Sequence, residues 1–128
     1  MQETRKSIKQ WAPDDRPREK LFLKGPAALS DSELIAILLG SGTKTKSALE
    51  VAKEVLALAK NNLSDLGRLT IKELMKTNGI GEAKAITITA ALELGRRRQS
   101  WDVKKEVIKS SADIADYLQA RLKDKAHE

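Results

Sequence analysis

The chain contains no cysteine, which removes disulfide bridges and thiolate metal sites from consideration. Its N-terminus does not present a charged segment, an apolar run and a cleavage site in order, so an intracellular, cytoplasmic address is expected. No apolar stretch approaches the roughly 20 residues that span a bilayer; even ITITAALELG runs straight into Arg96, Arg97 and Arg98. Aromatic residues make up 3% of the chain, which argues against stacking platforms for single-stranded nucleic acid. Alternation of period two is absent beyond Ile86 and Ile88, which lie in a helical context, so no sheet is expected. The single histidine, His127, stands next to the last residue. Ser41 has no histidine near it in sequence, and no nucleophile, base and orienting group assemble into an enzyme. We therefore expect no catalytic residues, no metal and no cofactor within these residues.

What is present is charge, and it is predominantly positive. Lysine and arginine number 24 against 18 acidic residues, a formal charge of +6 in 128 residues, which favours a polyanionic partner gripped through its backbone. The length fits one domain with tails.

Three segments open with a hydroxyl residue followed three positions later by glutamate: Ser30/Glu33, Ser47/Glu50 and Thr70/Glu73. This is the capping-box pattern, in which each side chain satisfies an otherwise unpaired backbone N–H. After Ser47, the residues Ala48, Val51, Ala52, Val55, Leu56 and Ala59 repeat at helical spacing and form one apolar stripe. DSELIAILL, after Ser30, is apolar around most of its circumference and is expected to be the central buried helix. Pro17 and Gly25-Pro26 frame a shorter helix near Arg18 to Lys24. A long helix is expected from Glu82 to about Gln99. The expected fold is all-α, a small helical bundle over residues 17–99, preceded by an arm (1–16) on which Ile8 and Trp11 dock. A basic linker (100–110) and an amphipathic helix, Ser111 to Leu122, capped by Ser110 or Ser111, follow. The apolar face of that helix lacks a partner within the bundle and points to a further domain.

An internal repeat of about 39 residues relates Leu39-Gly40-Ser41-Gly42 to Asn78-Gly79-Ile80-Gly81, each after a capped helix and before another. The first copy carries Thr43 to Lys46 as an insertion and a polar Ser41 where the second has Ile80. We read two helix-hairpin-helix units in tandem, the first degenerate. In the second, Gly79 permits a left-handed exit from the preceding helix, Ile80 plugs the core, and Gly81 permits close approach of backbone. The N–H groups of Gly81, Glu82 and Ala83 then face outward at the positive end of a helix, where phosphate binds, with Lys84 in the first turn to meet it. Glu82 opposes this by repelling an arriving phosphate. Lys44 and Lys46 in the first loop and Arg96 and Arg97 beyond Gly95 are the further candidate backbone contacts. A G-x-G between helices also serves as a tight turn around a buried hydrophobe and nothing more.

LMKTNGIGEAKAITI resembles the helix-hairpin-helix motif at both glycines, Ile80, Ala85 and Ile88. More narrowly, DDRPREKL, LSDSELIAILLGSGT and the GIG loop together resemble the N-terminal half of the RadC family, historically labelled DNA repair proteins. The resemblance implies a weak, salt-sensitive, non-sequence-specific grip on duplex or branched DNA. It also implies a following zinc metallopeptidase-like domain of JAMM type, missing here, with residues 111–128 as its start, zinc confined to it, and Glu128 near the point where such domains carry an early glutamate. The alternative is an interaction or regulatory module that docks on that missing domain.

Overall fold

A computed structural model of the chain describes residues 16–126, with side chains to Leu122. The arm carrying Ile8 and Trp11, and the terminal His127 and Glu128, lie outside the described residues. Among those described there are six α-helices, one 3-10 turn and no strand, so the fold is all-α. The helices are α1 (Pro17–Lys24), α2 (Asp31–Leu39), α3 (Ala48–Leu58), α4 (Leu63–Leu66), α5 (Ile71–Leu74) and α6 (Glu82–Ala126), with the 3-10 turn (Pro26–Ala28) between α1 and α2.

Local sequence accounts for where these helices begin. Pro17 occupies the first turn of α1, where its missing N–H costs nothing, and Gly25 ends the helix at φ 86°. All three capping boxes form with both arms. Ser30, Ser47 and Thr70 accept from the backbone N–H of Glu33, Glu50 and Glu73, and those glutamates accept in return from the N–H of the capping residue. Asn62 caps α4 by accepting from the Asp65 N–H at 3.0 Å. After α3 the chain turns through Lys60 and Asn61, both at left-handed φ (56° and 60°) without being glycine.

The described residues divide into two compact units, the first running to Leu92 and the second starting at Glu93. The first holds the core. Its centre is α3, whose predicted stripe is buried in full: Ala48, Val51, Ala52, Val55, Leu56 and Ala59. Ile35, Ala36 and Leu39 from α2 join it, as do Leu66, Leu74, Ile80, and Ala85 and Ile88 of α6. Removing such side chains from water stabilises by about 1.5–3 kcal/mol each for the larger ones. The expectation that α2 is the central helix is corrected here: α2 packs on α1 and α3 but leaves Leu34 and Leu38 partly open on its far side, each 37% exposed.

In the second unit the helix does not stop near Gln99. Residues 100–110, expected as a linker, are helical, and Ser110 and Ser111, expected as caps, lie mid-helix in the 45-residue α6. The reason is compositional. From Glu82 on there is no proline, only one glycine, and an abundance of Lys, Arg, Glu, Gln and Ala, all good helix formers. A weak apolar stripe signals a lack of packing, which does not itself end a helix. Along 101–122 the large apolar side chains, Trp101, Val103, Val107, Ile108, Ile114, Tyr117, Leu118 and Leu122, are all exposed.

Candidate nucleic-acid interface

The second glycine loop is built from the end of α5. Thr77 is buried, and its carbonyl accepts from the Ile80 N–H at 3.0 Å, closing the turn. Gly79 sits at φ 98°, a conformation L side chains rarely adopt, and Ile80 drops into the core with 3% of its surface exposed. Gly81 then occupies the capping position of α6, its carbonyl accepting from the Ala85 N–H at 3.0 Å. Being glycine, it offers no side-chain acceptor. Helices α2, α3, α4 and α5 are all capped by a side chain, whereas none among the described residues accepts from the first-turn N–H groups of α6. Glu82 and Ala83 are exposed at this point. The positive end of the helix dipole is therefore open to an external acceptor.

The first loop folds on itself. Gly40 ends α2 at φ 74°. The Thr43 N–H donates to the Lys46 carbonyl at 2.8 Å, while Thr43 Oγ1 accepts from the N–H groups of Lys46 (3.0 Å) and Thr45 (3.3 Å). Gly42 lies so close to the returning arm of the loop that a Cβ there would stand 2.1 Å from the Lys46 carbonyl oxygen. Lys46 is half-buried and ion-paired with Glu54, so much of its charge is already answered, whereas Lys44 is exposed.

The two loops meet. A Cβ at Gly79 would stand 2.8 Å from Thr43 Cγ2 and 3.4 Å from both methyls of Val51, so the absence of a side chain at Gly79 admits the first loop and α3. Lys84 Nζ reaches across to donate to the Ser41 carbonyl at 2.8 Å and to Ser41 Oγ at 3.2 Å. At Gly81, among the described residues and apart from its immediate chain neighbours, no atom comes within 4 Å of a Cβ built on it, and its φ is not left-handed. Its openness faces outward.

Gly79, Gly81, Glu82, Ala83 and Lys84 thus lie beside the loop that carries Lys44 and Lys46, whereas Ile80, expected among the contacts, is buried in the core. Arg96 and Arg97 stand in the second unit, and both bond Glu93: Arg96 through Nε (3.0 Å) and Nη2 (2.8 Å), Arg97 through Nε (2.8 Å). These hydrogen bonds, from Arg96 first and Arg97 second, pull the Glu93 carboxyl down to about 2, and Glu93 in turn raises Arg96. Sequence reasoning missed Ser41 and Thr43 as neighbours of the second loop; the one available signal was the similarity read between LGSG and NGIG in the sequence. Among the described residues no group of three or more His, Cys, Asp or Glu is placed to hold a metal, and no helix is long and apolar enough to cross a membrane.

The family model described as "UPF0758 N-terminal" matches residues 8–86, a span that contains both loops and the core around them. A UPF0758 protein of Flavobacterium johnsoniae is 50% identical over 123 residues, covering 95% of this chain and 53% of that protein. Those of Staphylococcus carnosus and Moorella thermoacetica are 44% and 45% identical, covering 94% and 88% of this chain and 54% and 48% of theirs. The chain spans about half the length of the curated relatives it matches. No solved structure matches it. With the family model covering both loops and relatives up to 50% identical along nearly the whole chain, the protein belongs to the UPF0758 family, which is the RadC family.

Proposed function

We propose that this segment is a non-sequence-specific DNA-binding module, a helix-hairpin-helix in which the α6 start holds a backbone phosphate. The observation that carries the reading is the start of α6, where among the described residues no side chain accepts from the first-turn N–H groups, as in the proline-led α1 and unlike α2 to α5. Gly81 leaves space in front of those N–H groups. The ammonium of Lys84 lies alongside, and it has a third N–H beyond the two given to Ser41. Lys44 adds an exposed charge on the neighbouring loop. No element of this surface reads base edges, so affinity comes from phosphate contacts and falls steeply with salt.

Anisotropy titrations against duplex, branched and single-stranded DNA over a salt series test it. Gly81→Val should fold as the parent does, because its Cβ meets open space, yet bind more weakly by filling the approach to the N–H groups. The log-log salt slope should drop by about 0.9 for each phosphate that the variant no longer neutralises on duplex DNA. Glu82→Gln should bind about two- to five-fold tighter, since it removes a repulsion of the size typical at a helix terminus. A Gly81→Val protein that is folded and binds every DNA form like the parent rules the reading out.

One observation favours a second reading, an interaction module. The apolar side chains of 101–122 are exposed, as a helix that docks on a further domain would require. That surface should bind without a salt slope. Zinc-dependent hydrolysis by a JAMM-type domain is proposed for whole proteins of the family only. It takes about three protein ligands and a water, and we place no step of it on this chain, which has one histidine and no cysteine.

A further inference from the structure

We propose that Lys84 is a positioning residue whose ammonium locks the loop of residues 40–46 against the loop of residues 78–81. The first loop thereby takes its place from a side chain 43 residues away. The inference deepens the DNA-binding reading and rests on it only for what the locked surface holds.

The lock is built from two kinds of contact. On one side, bare backbone at Gly79 lies against Thr43 Cγ2 and the Val51 methyls, an approach any side chain at Gly79 would block. On the other, Lys84 Nζ grips both oxygens of Ser41. Thr43 is held for its part in this fit by the two loop N–H groups that donate to its Oγ1. Between Gly40 and Ser47 no residue is buried and none is a large hydrophobe, so apolar packing does not hold the loop down. Besides its own hydrogen bonds and the fit of Thr43 on Gly79, the loop is tied to α3 by the Lys46–Glu54 ion pair and to the start of α6 by Lys84.

The direction in which Lys84 reaches has an electrostatic cause. Its ammonium belongs to the first turn of α6, at the positive end of that helix, where a cation is disfavoured. Ser41 follows directly on the end of α2, where the unpaired carbonyls of a helix terminus concentrate negative potential. The side chain spans from the unfavourable end to the favourable one. Among the described residues no carboxylate pairs with it, so its positive charge stays unneutralised at the seam between the loops.

A lock of this kind is seen as hydrogen exchange. In Lys84→Met the amides of Thr43 and Lys46 should exchange about tenfold faster, the scale expected when a charge-assisted bond that limits local opening is removed. The amides of Val55 and Leu56 in the buried helix α3 should be unchanged. Lys84→Arg, which keeps charge and donors, should restore much of the protection, and Lys84→Gln should behave as Met does, with circular dichroism establishing that each variant is folded. If the loop amides of folded Lys84→Met and Lys84→Gln keep the parent's protection, the lock does not exist, whatever those variants do to DNA. If the loop loosens as expected while the parent binds no DNA form, the lock stands and the DNA-binding reading falls. The two failures are separate.

Discussion

Gly79 and Gly81 stand two positions apart and carry different burdens. Gly79 is held at left-handed φ and lies against Thr43 and Val51, so Gly79→Ala meets a conformational penalty of about 1–2 kcal/mol and an overpacking cost of about 1–3 kcal/mol. A urea-unfolding midpoint well below that of the parent is the expected result. Gly81 has neither constraint, so Gly81→Ala should change stability by less than about 1 kcal/mol, the range between residues at a capping position. The strain belongs to Gly79 and the open space to Gly81. Parallel denaturation of the two alanine variants checks the assignment.

The helix starts show how far a local pattern carries. Each capping box joins residues three apart, and both of its bonds depend only on the first turn, so reading the sequence sufficed to place all three. Ser47→Ala should cost about 1 kcal/mol, within the 0.5–2 range for a lost cap, because α3 carries the core behind it. The boxes also predict a pH dependence. The backbone N–H of Ser30 first, with help from Lys20, holds the Glu33 carboxyl below the ordinary carboxylate range, and the N–H of Thr70 does the same to Glu73. A group whose pKa is lowered by folding stabilises above its unfolded value, and that contribution is lost as pH falls through the folded one. Stability should therefore be flat near neutrality and decline below about pH 4.3, the unfolded value for glutamate. Urea midpoints at descending pH should show this, and Glu73→Gln, which removes the titrating carboxylate, should flatten the decline.

At the scale of the whole molecule the two units differ in how they are stabilised. The first buries a continuous set of aliphatic side chains around α3, and Leu74→Ala there should cost about 2–5 kcal/mol, as expected for a fully buried leucine. In the second, Ile114, Tyr117, Leu118 and Leu122 each keep more than half of their surface open. Their contribution to folding through burial is correspondingly small. Cutting the chain after Ser110 should leave the melting temperature of the core within a few degrees of the parent, since surface changes of this kind stay within about 0.5 kcal/mol. A large drop would mean that residues 111–126 support the core.

The sequence by itself determined the all-α fold, the three boxed helix starts, the buried stripe of α3, the plug at Ile80 and the left-handed exit at Gly79. Each of these depends on residues within one or two turns of each other, where spacing alone sets geometry. The same local rules misplaced the end of α6, because a weak stripe between Gln99 and Ser111 marks missing packing partners, whereas ending a helix takes a breaker or a cap. Only the tertiary structure decided that α3 is the central helix, that Gly79 is bare so that Thr43 and Val51 can approach, and that Lys84 reaches Ser41. Those are contacts between residues 28 to 43 positions apart, brought together by burial of the aliphatic core. Burial is non-directional, so the sequence shows which side chains seek the interior, while the packing they settle into decides which loops become neighbours.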